Sequence, residues 1–152
     1  MKGNGKPGIE ICLYQEVSTT PEQLLEILLD HVRLGRFFKA RFALVKPEDK
    51  GQLPGGKGCI RQVTIGRQQF LEEIISASAS GICYQIIGPG PVSEHQGEIV
   101  FNNRSGSTLV EYKIRCKGPK WLPDFLVKYV ICRDIRFALR QLAGFFQKQV
   151  AA

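Results

Sequence analysis

The order of the predicted elements constrains the fold of this chain more than any other feature of its sequence. A capped amphipathic helix near the start and a long helix at the end enclose a middle whose alternating pattern is typical of strands and turns. An antiparallel sheet with one apolar face must bury that face, and one long helix laid across it is an economical cover. The sequence therefore predicts a sheet that grips a helix around an interior space.

Both helical regions have clear sequence signals. Thr20 offers a hydroxyl N-cap, Pro21 suits the first helical position and Gln23 follows three residues after the cap. The pattern continues to Phe38, and Gly35 is predicted to divide it into two short helices. The last helix is predicted over residues 122–150. Its first part, to residue 132, is apolar on most sides, and its second part is amphipathic with an arginine stripe that we interpret as solvent-facing.

The composition indicates one domain. The chain has 152 residues, which suits a single hydrophobic core, and we assign residues 1–8 to a flexible lead-in and residues 9–152 to the domain. Its five cysteines are odd in number and show no Cys-x-x-Cys spacing, and no signal segment is evident. We therefore expect reduced thiols and a cytoplasmic protein. The longest apolar run is too short to cross a bilayer.

A net charge of +7 favours anionic partners such as nucleic acid, phospholipid headgroups or acidic ligands. No dense basic run is interleaved with aromatic residues, so a generally basic surface is the preferred interpretation. The glycine-rich loop over residues 47–58 carries lysines but lacks the strand and helix context of a phosphate-binding loop. We predict no phosphate site there.

Alternating apolar residues predict strands over residues 9–17, 41–46, 59–65, 68–76, 82–87, 94–101 and 108–116. A two-residue turn at Gly66 and Arg67 fixes one register, because glycine in the first central position suits a type II′ hairpin turn. That register places Arg61 opposite Glu72 on the apolar, inward face. In the last hairpin, the register that keeps both apolar faces inward places Gly97 near Tyr112 and His95 near Ile114.

Several fragments, taken in order, carry a resemblance to a known superfamily. They are residues 17–22 at the first helix, residues 56–61 with Glu72, Tyr84, the His95-x-Gly97-x-Ile99 pattern and residues 107–112. Over nearly its whole length the chain resembles the START/Bet v 1-like helix-grip superfamily, in particular its bacterial polyketide cyclase/dehydrase and lipid-transport branch. It departs from the usual pattern at Phe37, Phe38 and Tyr112, where tryptophan is common.

The resemblance implies an α+β helix-grip fold, with a curved antiparallel sheet wrapped around a long C-terminal helix and two short helices near the N-terminus. It also implies a cavity for a hydrophobic small molecule between sheet and helix. Some members of such a family catalyse reactions on their ligands, and many do not.

Three polar clusters could act in such a cavity. Arg61 with Glu72 is either a salt bridge that pins strand register or a ligand anchor. His95, near Tyr84 and Tyr112, is either a hydrogen-bonded wall residue or the acid–base group of a cyclase or dehydratase. Tyr129 and Arg133 lie one turn apart on the last helix and face either the sheet or solvent.

Other catalytic templates are missing. The sequence has no Gly-x-Ser-x-Gly, no His-Glu-x-x-His and no Gly-x-Gly-x-x-Gly before a helix, and it has two histidines, His31 and His95. We therefore predict no metal site and no cofactor.

The leading hypothesis is a module that binds, and by extension transports, a hydrophobic small molecule or lipid under the C-terminal helix, which we predict to be a movable lid. The alternatives are a metal-free cyclase or dehydratase using His95 and cavity tyrosines, and an RNA- or protein-interaction module with a basic surface. We expect no binding to DNA, and RNA is an unfavoured partner. The sequence leaves open whether the protein contacts membranes transiently and which oligomeric state it adopts. The predicted ligand-binding residues are Arg61, Val63, Phe70, Glu72, Ile74, Tyr84, Ile86, His95, Ile99, Phe101, Tyr112, Trp121, Phe125 and Tyr129.

Overall fold

A computed structural model describes residues 8–151 of the chain, with side chains described to residue 148. The predicted lead-in therefore lies outside the described residues, apart from Gly8. Within the described part, the elements in chain order are β1 (Ile9–Val17), α1 (Pro21–Leu29), α2 (His31–Phe38), β2 (Arg41–Lys46), β3 (Ile60–Ile65), β4 (Gln68–Ser78), β5 (Gly81–Ile87), β6 (Ser93–Arg104), β7 (Ser107–Lys117) and α3 (Asp124–Ala151).

The seven strands form one antiparallel sheet in the order β1-β7-β6-β5-β4-β3-β2. Strand β1 pairs with β7 from Ile9 opposite Cys116 to Val17 opposite Thr108, so the first strand joins the last. Buried and exposed residues alternate along β1, β3 and β7, which gives the sheet one apolar face. Helices α1 and α2 and the long helix α3 cover that face, which confirms the predicted α+β arrangement.

The first helical region divides at a different residue from the predicted one. Asp30 ends α1 and begins α2, since its carboxylate accepts hydrogen bonds from the backbone N–H groups of Val32 and Arg33. Gly35 lies inside α2, where a Cβ would come within 2.7 Å of the Ala40 carbonyl oxygen. The prediction that Gly35 breaks the helix was therefore wrong, because this glycine permits close approach of the following chain.

The β3–β4 hairpin has the predicted register. Gly66, at φ 60°, stands in the two-residue turn, and Arg61 lies opposite Glu72. In the β6–β7 hairpin the predicted register was wrong by two residues, since Gly97 lies opposite Ile114 and Ile99 opposite Tyr112. The strands here extend to Arg104 and Ser107, so the turn is much tighter than the loop that the sequence suggested.

Helix α3 begins at Asp124, and its two halves pack differently. The second half buries Ile135, Ala138, Leu139, Leu142 and Phe146 in the core, and the helix contacts β1 and α2. Its arginine stripe is exposed, as predicted. The first half leaves several large apolar side chains exposed. Within the described part of the chain, no helix is long and apolar enough to cross a membrane.

Candidate functional site: a cavity under the long helix

A cavity of about 790 Å³ lies between the concave face of the sheet, helix α2 and the first half of α3. Ligand sites in proteins usually measure about 300–1,000 Å³ and are mostly apolar with a few placed polar groups. The walls fit that description, since they are formed mainly by Leu28, Leu34, Phe38, Phe42, Val63, Phe70, Ile82, Ile86, Val92, Ile99, Ile114, Leu122, Val127, Val130, Ile131, Ile135 and Phe137.

A buried ion pair forms one part of the cavity floor. The Nε of Arg61 donates to Oε1 of Glu72 at 3.1 Å, and both side chains are almost completely buried. One terminal nitrogen of Arg61 also donates to the Leu28 carbonyl oxygen at 3.4 Å, and the guanidinium lies over the Phe42 ring. Burial raises the pKa of the Glu72 carboxyl, and the adjacent guanidinium opposes that rise. Arg61 engages two of its five N–H donors in these bonds.

Two tyrosine hydroxyls form the second part of the floor. The hydroxyls of Tyr84 and Tyr112 are hydrogen-bonded at 2.5 Å, and their rings meet edge to face. Burial raises the pKa of both phenols well above the usual value, so both remain protonated at neutral pH. Gly97 lies opposite Tyr84, and a Cβ there would collide with the Tyr84 ring. The glycine thus makes room for the ring that places this hydroxyl.

His95 completes the polar lining. It follows Glu94, whose φ of 49° marks the irregularity that interrupts β6–β7 pairing between Ser93 and Gln96. Its ring lies against Tyr84 at a centroid distance of 5.3 Å. Burial lowers the pKa of His95 to about 4, so the imidazole is neutral at neutral pH. Its Nδ1 atom is buried and has no hydrogen-bond partner among the described residues.

The rim of the cavity carries the remaining charges. Arg133 and Asp134 pair with each other at 3.3 Å on α3, and the Lys39 ammonium lies 4.1 Å above the Phe137 ring. Trp121 lies at the same rim and is 81% exposed. Among the described residues that line the cavity, the charges of Arg61 and Arg133 are thus paired with carboxylates, whereas the Lys39 ammonium at the rim lies over an aromatic ring.

The structure brings ten of the fourteen predicted site residues to the cavity lining, namely Arg61, Val63, Phe70, Glu72, Tyr84, Ile86, His95, Ile99, Tyr112 and Trp121. Ile74 and Phe101 are buried in the core and do not line the cavity. Helix α1 packs on β4, β5 and β6 and covers part of the inward face of these strands. Phe125 and Tyr129 point outward and are 71% and 64% exposed.

Sequence reasoning missed the inward face of α3 and the contribution of α2. Val127, Ile131 and Ile135 recur at four-residue spacing and line the cavity. That spacing was readable, but the neighbouring positions are apolar too, so it did not single out one face. Phe42, which contacts Arg61, was missed because β2 was not assigned to the cavity wall.

The described residues contain no group of three or more His, Cys, Asp and Glu side chains placed to hold a metal ion. The polar floor instead offers a compensated ion pair, two hydrogen-bonded tyrosine hydroxyls and a neutral imidazole. Chemically, the arrangement can bind and orient a carbonyl or hydroxyl group at the end of an apolar molecule.

Comparison with solved structures finds the same architecture elsewhere. An uncharacterized protein from Bacillus thuringiensis aligns with a TM-score of 0.67 at 15% identity, covering 91% of this chain and 99% of that one. The protein XoxI from Bacillus cereus gives 0.68 at 16% identity, with coverage of 91% and 95%. Ara h 8.0201 gives 0.71 at 13% identity, with coverage of 93% and 99%.

No protein-family model and no curated protein sequence matches the chain. At these identities the structural likenesses establish the fold. The chain has the helix-grip fold of Bet v 1-like proteins, as its sequence predicted.

Proposed function

We propose that this helix-grip domain binds a hydrophobic small molecule that carries an uncharged polar group. The observation that supports the proposal is the cavity of about 790 Å³, whose apolar walls converge on the hydrogen-bonding floor formed by Arg61, Glu72, Tyr84, Tyr112 and His95. An apolar ligand body would bury its surface against these walls, and removal of apolar surface from water stabilises binding by about 25 cal/mol per Å².

The charge of the floor argues for an uncharged head group. Glu72 compensates Arg61, His95 is neutral, and both phenols keep their protons. A carboxylate ligand would add an uncompensated charge to a buried site, which costs several kcal/mol. A carbonyl or hydroxyl oxygen can instead accept a bond from a free Arg61 donor or a tyrosine hydroxyl.

A cyclase or dehydratase is the second candidate, because Tyr84 and Tyr112 could polarise a ligand carbonyl beside His95. General-base catalysis works best when the pKa of the base lies near the working pH. With its pKa lowered to about 4, His95 is a weak proton acceptor. Binding is therefore the function that the geometry favours.

Displacement of a fluorescent probe tests the proposal. N-phenylnaphthylamine, an uncharged apolar dye, should bind with increased emission and should be displaced by dodecanol much more effectively than by dodecanoate at neutral pH. The variant Tyr112→Phe removes a hydroxyl from the floor and should weaken dodecanol with little effect on the dye. Tyr14→Phe, on the exposed side of β1, is the matched control. Failure of the dye to bind, or stronger binding of dodecanoate, contradicts the proposal.

A further inference from the structure

The turn before α3 and the first half of that helix expose an aromatic patch that the core does not use. We define this patch as Trp121, Phe125, Leu126, Tyr129 and Val130, whose exposed fractions range from 42% to 81%. Phe125 and Tyr129 follow at four-residue spacing along one face of α3, and Trp121 lies in the turn just before the helix. The inward face of the same helix is filled separately by Val127, Ile131 and Ile135. The patch is therefore an outward-facing apolar surface that meets the cavity lining at Trp121 and Val130.

Basic residues surround the patch. Residues 117–136 contain the basic residues Lys117, Lys120, Lys128, Arg133 and Arg136, against the acidic residues Asp124 and Asp134. Lys120 and Lys128 are exposed, and among the described residues neither ammonium lies within ion-pair distance of a carboxylate. Exposed tryptophan, tyrosine and phenylalanine with lysine at the margin are the residues that lie at the headgroup level of a bilayer.

We infer that the aromatic patch docks onto the surface of an anionic phospholipid membrane. Trp121 and its aromatic neighbours enter the boundary between headgroups and acyl chains, while Lys120 and Lys128 contact lipid phosphates. A juxtamembrane lysine contributes about 1 kcal/mol near an anionic surface. The net charge of +7 acts in the same direction.

Continuity with the cavity distinguishes this surface from an ordinary apolar patch. Trp121 and Val130 belong both to the patch and to the cavity lining. Docking by the patch therefore places the cavity mouth against the bilayer, and an apolar molecule could pass between them without crossing bulk water. This delivery role rests on the proposed cavity ligand, whereas the membrane contact does not.

A second copy of the chain is a less suitable occupant. Two patches packed face to face would bring Lys120 and Lys128 of both copies together where basic residues outnumber the carboxylates of Asp124 and Asp134, and opposed like charges disfavour association. An anionic bilayer instead supplies the opposite charge at the edge of the patch and an apolar medium at its centre.

Trp121 provides the readout, since it is the single tryptophan in the sequence. Phosphatidylcholine vesicles containing phosphatidylglycerol should shift its emission to the blue and carry the protein down on sedimentation. Vesicles of phosphatidylcholine alone should bind much less. The double variant Phe125→Ser, Tyr129→Ser retains Trp121 and should lose at least about tenfold in affinity. Lys120→Gln and Lys128→Gln should each lose about fivefold, with a weaker salt dependence.

Val32→Ser provides the matched control, because Val32 is 72% exposed on α2 and lies outside the patch. It should leave vesicle binding unchanged. Equal binding to neutral and anionic vesicles without a Trp121 shift overturns the inference, as does an equal loss in the control variant. A dimer in sedimentation that the patch double variant abolishes would assign the patch to a second copy and would also overturn it.

The two proposals can fail separately. N-phenylnaphthylamine binding without vesicles reports only on the cavity, and the patch double variant should retain it. Loss of vesicle binding with intact dye binding rejects the membrane surface alone. Vesicle binding by a protein that does not take up the dye rejects the cavity ligand and retains the membrane surface.

Discussion

At the residue scale, the cavity floor depends on charges that compensate each other out of water. Arg61 and Glu72 are held opposite each other by adjacent antiparallel strands, and the guanidinium also donates to the Leu28 carbonyl oxygen at the end of α1. A buried ion pair is often no more stabilising than an apolar pair of the same volume, but removing one partner leaves an isolated buried charge. Loss of one partner is therefore far more damaging than loss of both.

Replacing Glu72 tests this asymmetry. We expect Glu72→Ala to lower the free energy of unfolding by about 3 to 5 kcal/mol, measured by urea denaturation. The double variant Arg61→Met, Glu72→Leu should recover much of that loss. Glu98→Ala is the surface control, because the exposed Glu98 pairs with Lys113 at 3.8 Å and such pairs contribute up to about 1 kcal/mol. A Glu72→Ala loss as small as the control value would mean that the pair is hydrated.

His95 should make stability depend on pH. Its pKa is about 4 in the folded protein and 6.5 as an ordinary side chain, so the unfolded chain binds a proton first as the pH falls. Above about pH 6.5 the histidine is neutral in both states, and stability is lost as the pH falls from about 6.5 to 4, because only the unfolded chain then gains the proton. We expect the loss to be about 2 to 3 kcal/mol, taking into account its partial exposure.

The variant His95→Gln isolates that contribution, since other groups also titrate in this range. Urea unfolding at a series of pH values should show a shallower decrease in stability for His95→Gln than for the unmodified protein. His31→Gln, at the start of α2 and outside the cavity lining, is the control for removing a histidine. Parallel curves for His95→Gln and the unmodified protein would place His95 in contact with water.

At the element scale, the two halves of α3 pack against different parts of the molecule. Its second half is anchored by Ile135, Ala138, Leu139, Leu142 and Phe146 in the core. Its first half contacts the molecule mainly through Val127, Ile131 and neighbours that line the cavity. Local opening follows the loss of apolar contacts, so the first half should be the less protected part of this helix when the cavity is empty.

Hydrogen exchange measured by mass spectrometry tests this lid behaviour. Saturating N-phenylnaphthylamine should slow exchange most in residues 122–132 and in the turn over residues 88–91, which lies beside the Gly118–Pro119 loop. Residues 138–147 serve as the internal control, because their contacts are with the core. Equal slowing along the whole helix, or none in its first half, would show that α3 does not act as a lid.

At the scale of the whole molecule, the fold was predictable where local chemistry fixed geometry. The capping residues at Thr20 located the first helix, and the turn at Gly66 and Arg67 fixed the β3–β4 register. The β6–β7 register was not predictable in the same way. The turn at Gly106 was taken as a longer loop, and the alternation of apolar and polar residues did not reveal the irregularity near His95.

The candidate site was predictable from the sheet and less so from the helix. Alternation along a strand identifies which side chains share a face, and nine of the predicted strand residues line the cavity. When a helix is apolar on most sides, its sequence does not show which face is buried. Phe125 and Tyr129 were therefore assigned to the cavity, although they face solvent. The sequence showed that these residues are apolar, but it did not show that they face outward.

The pairing of β1 with β7 has a consequence for how the protein is made. The Cys12 thiol donates to the Glu111 carboxylate across these strands, and the two residues are separated by 99 positions in the chain. Ribosomes add about 5–20 residues per second, so the first strand waits roughly 5 to 20 s for its partner to be translated. During that interval Ile9, Ile11 and Leu13 have no strand or helix α3 to cover them. We therefore expect these apolar segments of the nascent chain to need shielding, as by a chaperone, until synthesis is nearly finished.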